Sequence, residues 1–205
     1  MIQAAAIMPL RMAVPAIQFQ PERALELVLY LANRLPRPSF HSISKVLYFA
    51  DREHLSRYGS LMTGDSYVAM RYGPVPSSIY NLLKAAGGRR EPFIPPPQWA
   101  DLASGLLAVE GAHRVRALRD ANLEMISLAQ RACLDASIKA NGRLSFARLA
   151  RKSHDEAWKS ADQNEMIELT AIAKTLPNAK EILAHLSDGE SRGDARRRVL
   201  ARRAA

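Results

Sequence analysis

Lys45-Val46-Leu47-Tyr48-Phe49-Ala50-Asp51 and, shortly after it, Tyr67-Val68-Ala69-Met70-Arg71-Tyr72-Gly73-Pro74-Val75-Pro76-Ser77-Ser78-Ile79-Tyr80 are the two stretches whose reading decides the fold. The first lies in a segment that Ser39 or Ser42 caps and Gly59 stops. Ile43, Val46, Leu47, Ala50, His54 and Tyr58 recur there at spacings of three and four, the signature of an amphipathic helix, with Lys45, Arg52 and Ser56 opposite. In the second, Ser66 to Tyr72 is short and β-prone. Gly73-Pro74 predicts a corner, because glycine relaxes the backbone and proline fixes φ. Pro76 suits the first turn of a helix whose core face is Ile79, Leu82, Leu83 and Ala86, closed by Gly87-Gly88.

Upstream, Pro21 to Leu35 reads as a largely apolar helix with Glu22, Arg23, Glu26, Tyr30, Asn33 and Arg34 on one arc, ended by Pro36 and Pro38. Downstream, residues 89–105 read as a stiff proline-rich loop. Leu106 to Leu118 reads as a hairpin about Glu110-Gly111, and Asn122 to about Ala140 as a helix ended by Asn141-Gly142. A short helix follows over 145–151. Ser153 and Glu156 match a capping box ahead of Ala157 and Trp158. Met166, Ile167, Leu169 and Ile172 predict another helix, broken at Pro177, and Ile182, Leu183 and Leu186 the last packed turns. The sum is a predominantly helical α+β domain of about seven helices with a small antiparallel β element.

Composition sets the outer limits. At 205 residues the chain fits one domain with tails: an arm over 1–17, a domain over 18–186 and a basic tail over 187–205. Met12 is an alternative start. Cys133 is the single cysteine, which excludes an internal disulfide framework and suits a reducing cytoplasm. No apolar run reaches the roughly 20 residues a membrane span needs. The net charge of +9 draws nucleic acid, membranes or acidic proteins without choosing among them. Within 187–205, six arginines face Asp188, Glu190 and Asp194. Arg196, Arg197, Arg198, Arg202 and Arg203 read either as a grip on nucleic acid phosphates or as a solvated tail.

Catalytic and metal chemistry find little purchase. His41, His54, His113, His154 and His185 are too widely spaced for a zinc site, so no metal or cofactor is expected. Asp51 and His54 lie on adjacent helical turns, but His54 is on the apolar face, where a satisfied core histidine is the plainer reading. His154-Asp155 matches a dipeptide of metal phosphohydrolases without the remaining ligands, and a first helical turn accounts for Asp155. Cys133 falls on an apolar helix face and reads as a buried thiol. No catalytic residue is assigned. Tyr48, Tyr58, Tyr67, Tyr72 and Tyr80, five of the six tyrosines, crowd into one region. They read equally as an interface, since tyrosine joins a rigid face to a polar tip, or as a tyrosine-rich core around a tight corner.

Four blocks taken together carry a resemblance. Lys45 to Asp51, Gly64-Asp65-Ser66-Tyr67-Val68-Ala69-Met70, Tyr72-Gly73-Pro74-Val75 with Ile79-Tyr80, and Gly142-Arg143-Leu144-Ser145 followed by Ser153-His154-Asp155 and Trp158 resemble, in order and spacing, the Panacea family of SocA-like antitoxin domains, over roughly residues 20–175. The resemblance implies a bacterial or phage antitoxin, non-enzymatic and cytoplasmic. It would neutralise a toxin encoded next door by direct protein contact. The helix-turn-helix that some relatives add for DNA has no counterpart here, and residues 89–120 match less clearly. The expected contact surface is the Gly73-Pro74 corner with Asp51, Tyr67, Arg71 and Tyr72, plus the exposed edge of the 39–58 helix. Three alternatives stay open: an adaptor delivering the toxin to a ClpXP-type protease, a nucleic-acid regulator using the arginine tail and, ranked last, a hydrolase using Asp51, His54 or His154. The terminal Ala204-Ala205 resembles the end read by ClpX-type unfoldases. A second copy of the chain is a further partner class, and a membrane is not expected.

Overall fold

A computed structural model describes residues 19–89 and 96–188. The arm over 1–17, most of the 187–205 tail with its five grouped arginines, and Ala204-Ala205 lie outside the described residues. Helix α1 (Pro21–Arg34) and helix α2 (Phe40–Tyr58) lead into strands β1 (Tyr67–Met70) and β2 (Gly73–Pro76) and helix α3 (Ser77–Ala86). Helix α4 (Pro97–Leu106), strands β3 (Leu107–Glu110) and β4 (Arg114–Ala117), and a 3-10 turn (Leu123–Met125) follow. Helices α5 (Leu128–Asn141), α6 (Phe146–Ser153) and α7 (Glu156–Lys159), strand β5 (Met166–Ile167) and helix α8 (Leu169–Lys174) come next, then helix α9 over 179–188. The expected α-rich α+β class is what is found.

Helix α2 is the wall between two hydrophobic clusters. One face carries Ile43, Val46, Leu47 and Ala50 into a core shared with α1, α3, α5 and the β3–β4 hairpin. The other carries Tyr48 and Leu55 into a second core with β1, β5, α7, α8 and Ile182. Burial of α2 on this second face takes in Lys45 as well: read as opposite the apolar stripe, it is 1% exposed. Helix α1 is buried from Ala24 to Ala32, which takes Glu26 and Tyr30 inside as well. Both find partners, as buried polar groups must. Glu26 pairs with Arg119 and accepts the Asn122 N–H, and the Tyr30 hydroxyl donates to Asp135 Oδ1 at 2.7 Å.

Helix boundaries follow cap chemistry. Ser39 and Ser42 form a reciprocal capping box on α2, and Gly59, at φ 73°, ends it in the left-handed region. Four expectations change. The segment 97–106 is helix α4, started by Pro97 at its first turn, and not loop. The helix expected from Asn122 begins only after Ser127, which caps α5 with Gln130; residues 123–125 form the 3-10 turn, and Leu123 is 43% exposed. Asp155, and not Ser153 with Glu156, caps α7 by accepting the Trp158 N–H. Met166-Ile167 pairs with β1 as a strand, and the helix starts at Leu169.

The three-stranded antiparallel sheet has the order β2-β1-β5. Met70 pairs with Gly73, so Arg71 and Tyr72 alone make the turn, and the corner expected at Gly73-Pro74 is displaced toward them. Neither turn residue has positive φ. Gly73, at φ 100°, takes the conformation that completes the reversal. Pro74 and Pro76 then occupy an edge strand, where a missing N–H costs no ladder bond.

Candidate functional site

The hairpin turn is fastened from three sides. On the β1 side, Trp158 Nε1 donates to the Met70 carbonyl at 3.0 Å. On the β2 side, Lys45 Nζ donates to the Pro74 carbonyl at 2.7 Å. Beneath, Gly73 packs so closely that a Cβ there would lie 2.2 Å from Ser153 Oγ. Larger residues are excluded at Gly73 by space as well as by φ.

Below the turn runs a buried polar frame. Asp51 Oδ1 accepts the Met62 N–H and Oδ2 accepts the Tyr67 hydroxyl, each at 2.7 Å. Burial pushes the Asp51 carboxyl up to about 7, against these two donors, which hold it down. Burial likewise pushes the Lys45 ammonium down to about 7. Asp65 replaces the missing cap of α3. Its Oδ1 accepts the Ser66 and Ser78 N–H groups and its Oδ2 the Ile79 N–H, so a residue placed before β1 satisfies the first turn of a helix placed after β2. Asp155 joins the second cluster to α2. Beyond its cap it accepts the Tyr48 hydroxyl at 2.9 Å and Arg52 Nη1 at 2.7 Å.

The six expected contact residues therefore divide. Arg71 and Tyr72 are exposed, with the Arg71 guanidinium 5.3 Å from the Tyr72 ring centre. Asp51, Tyr67, Gly73 and Pro74 are buried and hold the hairpin from within; their side chains offer no outer surface. The tyrosines divide in the same way: Tyr48 and Tyr67 are core and meet edge to face at 5.0 Å, while Tyr58 and Tyr72 are half exposed. His54 Nδ1 bonds the Ser60 carbonyl at 2.7 Å, the satisfied core histidine that was expected. Asp51 is bonded elsewhere, so the two make no acid–base pair. Cys133 is buried, and burial raises its thiol pKa. His154 lies flat on Trp158, ring centres 3.9 Å apart, and its buried Nε2 has no hydrogen-bond partner.

Two residues beside the turn were given no contact role in the sequence. Phe146, at the start of α6, is 51% exposed and meets the Tyr72 ring edge-on at 5.1 Å. His41 stacks on Phe146 at 3.8 Å and bonds its carbonyl through Nε2. Burial, then the nearby Lys45, push the His41 ring down to about 4, so it is neutral at pH 7 and Nε2–H is the donor. The usable signal was an aromatic residue immediately after the cap Ser145, a position the core of α6 does not reach.

A shallow cavity of about 210 Å³ lies apart from this turn, lined by Phe19, Pro21, Ser78, Asn81, Leu82, Pro96 and Trp99. Its lining places no acid or base beside Ser78. Among the described residues no group of three or more His, Cys, Asp or Glu could hold a metal ion, and no helix is long and apolar enough to cross a membrane.

Residues 43–159, which include most of α2, the β1–β2 hairpin, α6 and α7, match the family described as Antitoxin SocA-like, Panacea domain. The chain belongs to the SocA-like antitoxin family. Its Panacea domain contains every block that carried the resemblance in the sequence. The motif residues Lys45, Tyr48, Asp51, Asp65, Tyr67 and Gly73 turn out to be the frame beneath the turn. No curated protein and no solved structure matched the chain.

Proposed function

We propose that this protein neutralises a protein toxin by stoichiometric contact, without catalysis, through the Arg71–Tyr72 turn and the neighbouring exposed edge of α2. The observation that carries the reading is that an exposed arginine–tyrosine turn stands on a base fixed by Trp158, Lys45 and Ser153. A rigid tip needs little ordering on binding, and tyrosine and arginine are the side chains that most often dominate interface energies. A stable complex would bury roughly 1,200–2,000 Å². Membership of an antitoxin family supports the role, and the cytoplasm is the compartment it fits.

The test is co-expression with the product of the adjacent gene, scoring growth and recovering the complex through a tag. A neighbour that is toxic alone, harmless together and recovered in a complex sustains the reading. A harmless neighbour that does not co-purify ends it.

A further inference from the structure

The turn is one corner of a larger face. Phe146 is its centre: one ring face is covered by His41 at 3.8 Å, Tyr72 abuts it edge-on at 5.1 Å, and half of the residue remains open to solvent. The Arg71 guanidinium lies 5.3 Å from the Tyr72 ring centre. The three segments that build this face, 36–50, 66–78 and 142–154, hold seven Lys and Arg and no Asp or Glu. Among the described residues, none of those seven forms an ion pair with a carboxylate, whereas Arg52, Arg57, Arg116, Arg119 and Lys159 elsewhere each do. Lys45, buried under the turn, has a backbone carbonyl for its partner and no anion. Lys45 is buried and the other six are exposed, so on these segments, bounded by Asp51, Asp65 and Asp155, the exposed charge is all basic. An apolar centre on such segments suits a partner that supplies carboxylates around an apolar anchor.

We propose that this face, centred on Phe146 with His41, Tyr72 and Arg71 around it, binds an acidic segment of the partner protein, in which carboxylates flank an aliphatic or aromatic side chain that packs on Phe146. The proposal rests on the antitoxin reading above for the identity of that partner. Acidic protein fits better than nucleic acid. Single-strand binding stacks bases on open ring faces, and here His41 already covers one face of Phe146.

The experiment uses the full chain and a fluorescein-labelled peptide with a Leu-Phe pair flanked on both sides by Glu and Asp, read by fluorescence anisotropy. The same peptide with Gln and Asn is the control, and a labelled DNA duplex is the third probe. The wild type is expected to bind the acidic peptide and not its amide control, with affinity falling as salt rises. Arg71→Glu and Phe146→Ala should each weaken binding by about tenfold, equal to about 1.4 kcal/mol, and Arg203→Glu, the same charge change in the tail, should leave it unchanged. No binding, equal binding of the amide control, or equal loss with Arg203→Glu overturns the proposal. Duplex binding that Arg71→Glu abolishes assigns the face to nucleic acid and overturns it too. Growth rescue is scored in parallel. Rescue that survives both Arg71→Glu and Phe146→Ala removes this surface and leaves the antitoxin reading standing. Absence of rescue by the wild type removes the antitoxin reading, while the peptide result still decides the chemistry of the face.

Discussion

The Tyr67 hydroxyl donates to Asp51 Oδ2 at 2.7 Å, joining β1 to the middle of α2 by one fully buried bond. With the Met62 N–H on Oδ1, the carboxylate has a donor on each oxygen. Tyr67→Phe removes one donor and preserves the ring that packs on Tyr48. Above pH 7, where the Asp51 carboxyl is ionised, a buried carboxylate oxygen left without its donor costs about 1–3 kcal/mol. At about 2–4 °C per kcal/mol for a protein of this size, calorimetry should show a melting temperature lower by several degrees. In an Asp51→Asn background the same substitution should cost less, because the neutral amide loses less on desolvation. Equal losses in both backgrounds would show that the charge at position 51 is not what Tyr67 serves.

Asp51 and Lys45 predict opposite limbs of stability against pH. The Asp51 carboxyl is raised from its ordinary 3.8 to about 7. The native state therefore binds the extra proton, and the contribution of Asp51 to wild-type stability falls as pH rises from about 4 to 7. The Lys45 ammonium is lowered from 10.5 to about 7. There the unfolded chain binds the extra proton, so the penalty of a buried charge is complete below pH 7 and is relieved between 7 and 10. Melting temperatures measured from pH 4 to 10 should therefore show Asp51→Asn gaining on the wild type across the lower window. Lys45→Met should fall behind the wild type across the upper one. Parallel curves would mean that neither group carries its proton as burial demands.

Gly73 faces Ser153 with no room for a methyl group, and its φ of 100° strains any other residue. Gly73→Ala is expected to cost about 2 kcal/mol or more, from backbone strain of about 1–3 kcal/mol with the contact added to it. Ser153→Ala removes the oxygen in the way. The double variant should therefore be more stable than the sum of the single losses predicts, by about 0.5 kcal/mol or more. Strict additivity would place the whole cost in the backbone.

Such pairings mark the limit of what the sequence shows. Helix α2 was legible because Ile43, Val46, Leu47 and Ala50 repeat at helical spacing and Gly59 stops them. That its opposite side is also buried was not legible: Lys45 looks like any solvated lysine until β2 supplies the Pro74 carbonyl. The cap of α3 was hidden for a related reason. Asp65 lies more than ten residues before the N–H groups it satisfies, and only the hairpin brings it there. Met166-Ile167 read as helix because two apolar residues beside Leu169 and Ile172 fit that period, whereas pairing with β1 is a tertiary fact. Within the candidate site, periodicity and family blocks point toward buried residues, since both record packing. Arg71 and Tyr72, named through proximity to those blocks, are the exposed pair among the six, and Phe146 and His41, which repeat no pattern, were given no contact role.

Because Arg71 and Tyr72 are exposed while their base is fixed, stability and binding should separate at this turn. Surface substitutions away from caps and buried pairs usually change stability by no more than about 0.5 kcal/mol, so Arg71→Ala and Tyr72→Ala should melt within about 2 °C of the wild type. If the turn is an anchor of the toxin interface, each should lose about 2 kcal/mol of binding, roughly thirtyfold in Kd, and co-expressed toxin should again arrest growth. Leu128→Ala, at a site 77% exposed on α5, serves as the control and should rescue fully. Titration calorimetry on the purified complex supplies the affinities. A fall in melting temperature that matches the fall in rescue would instead make Arg71 and Tyr72 structural parts of the hairpin, and unchanged rescue with unchanged melting would move the toxin contact off this face.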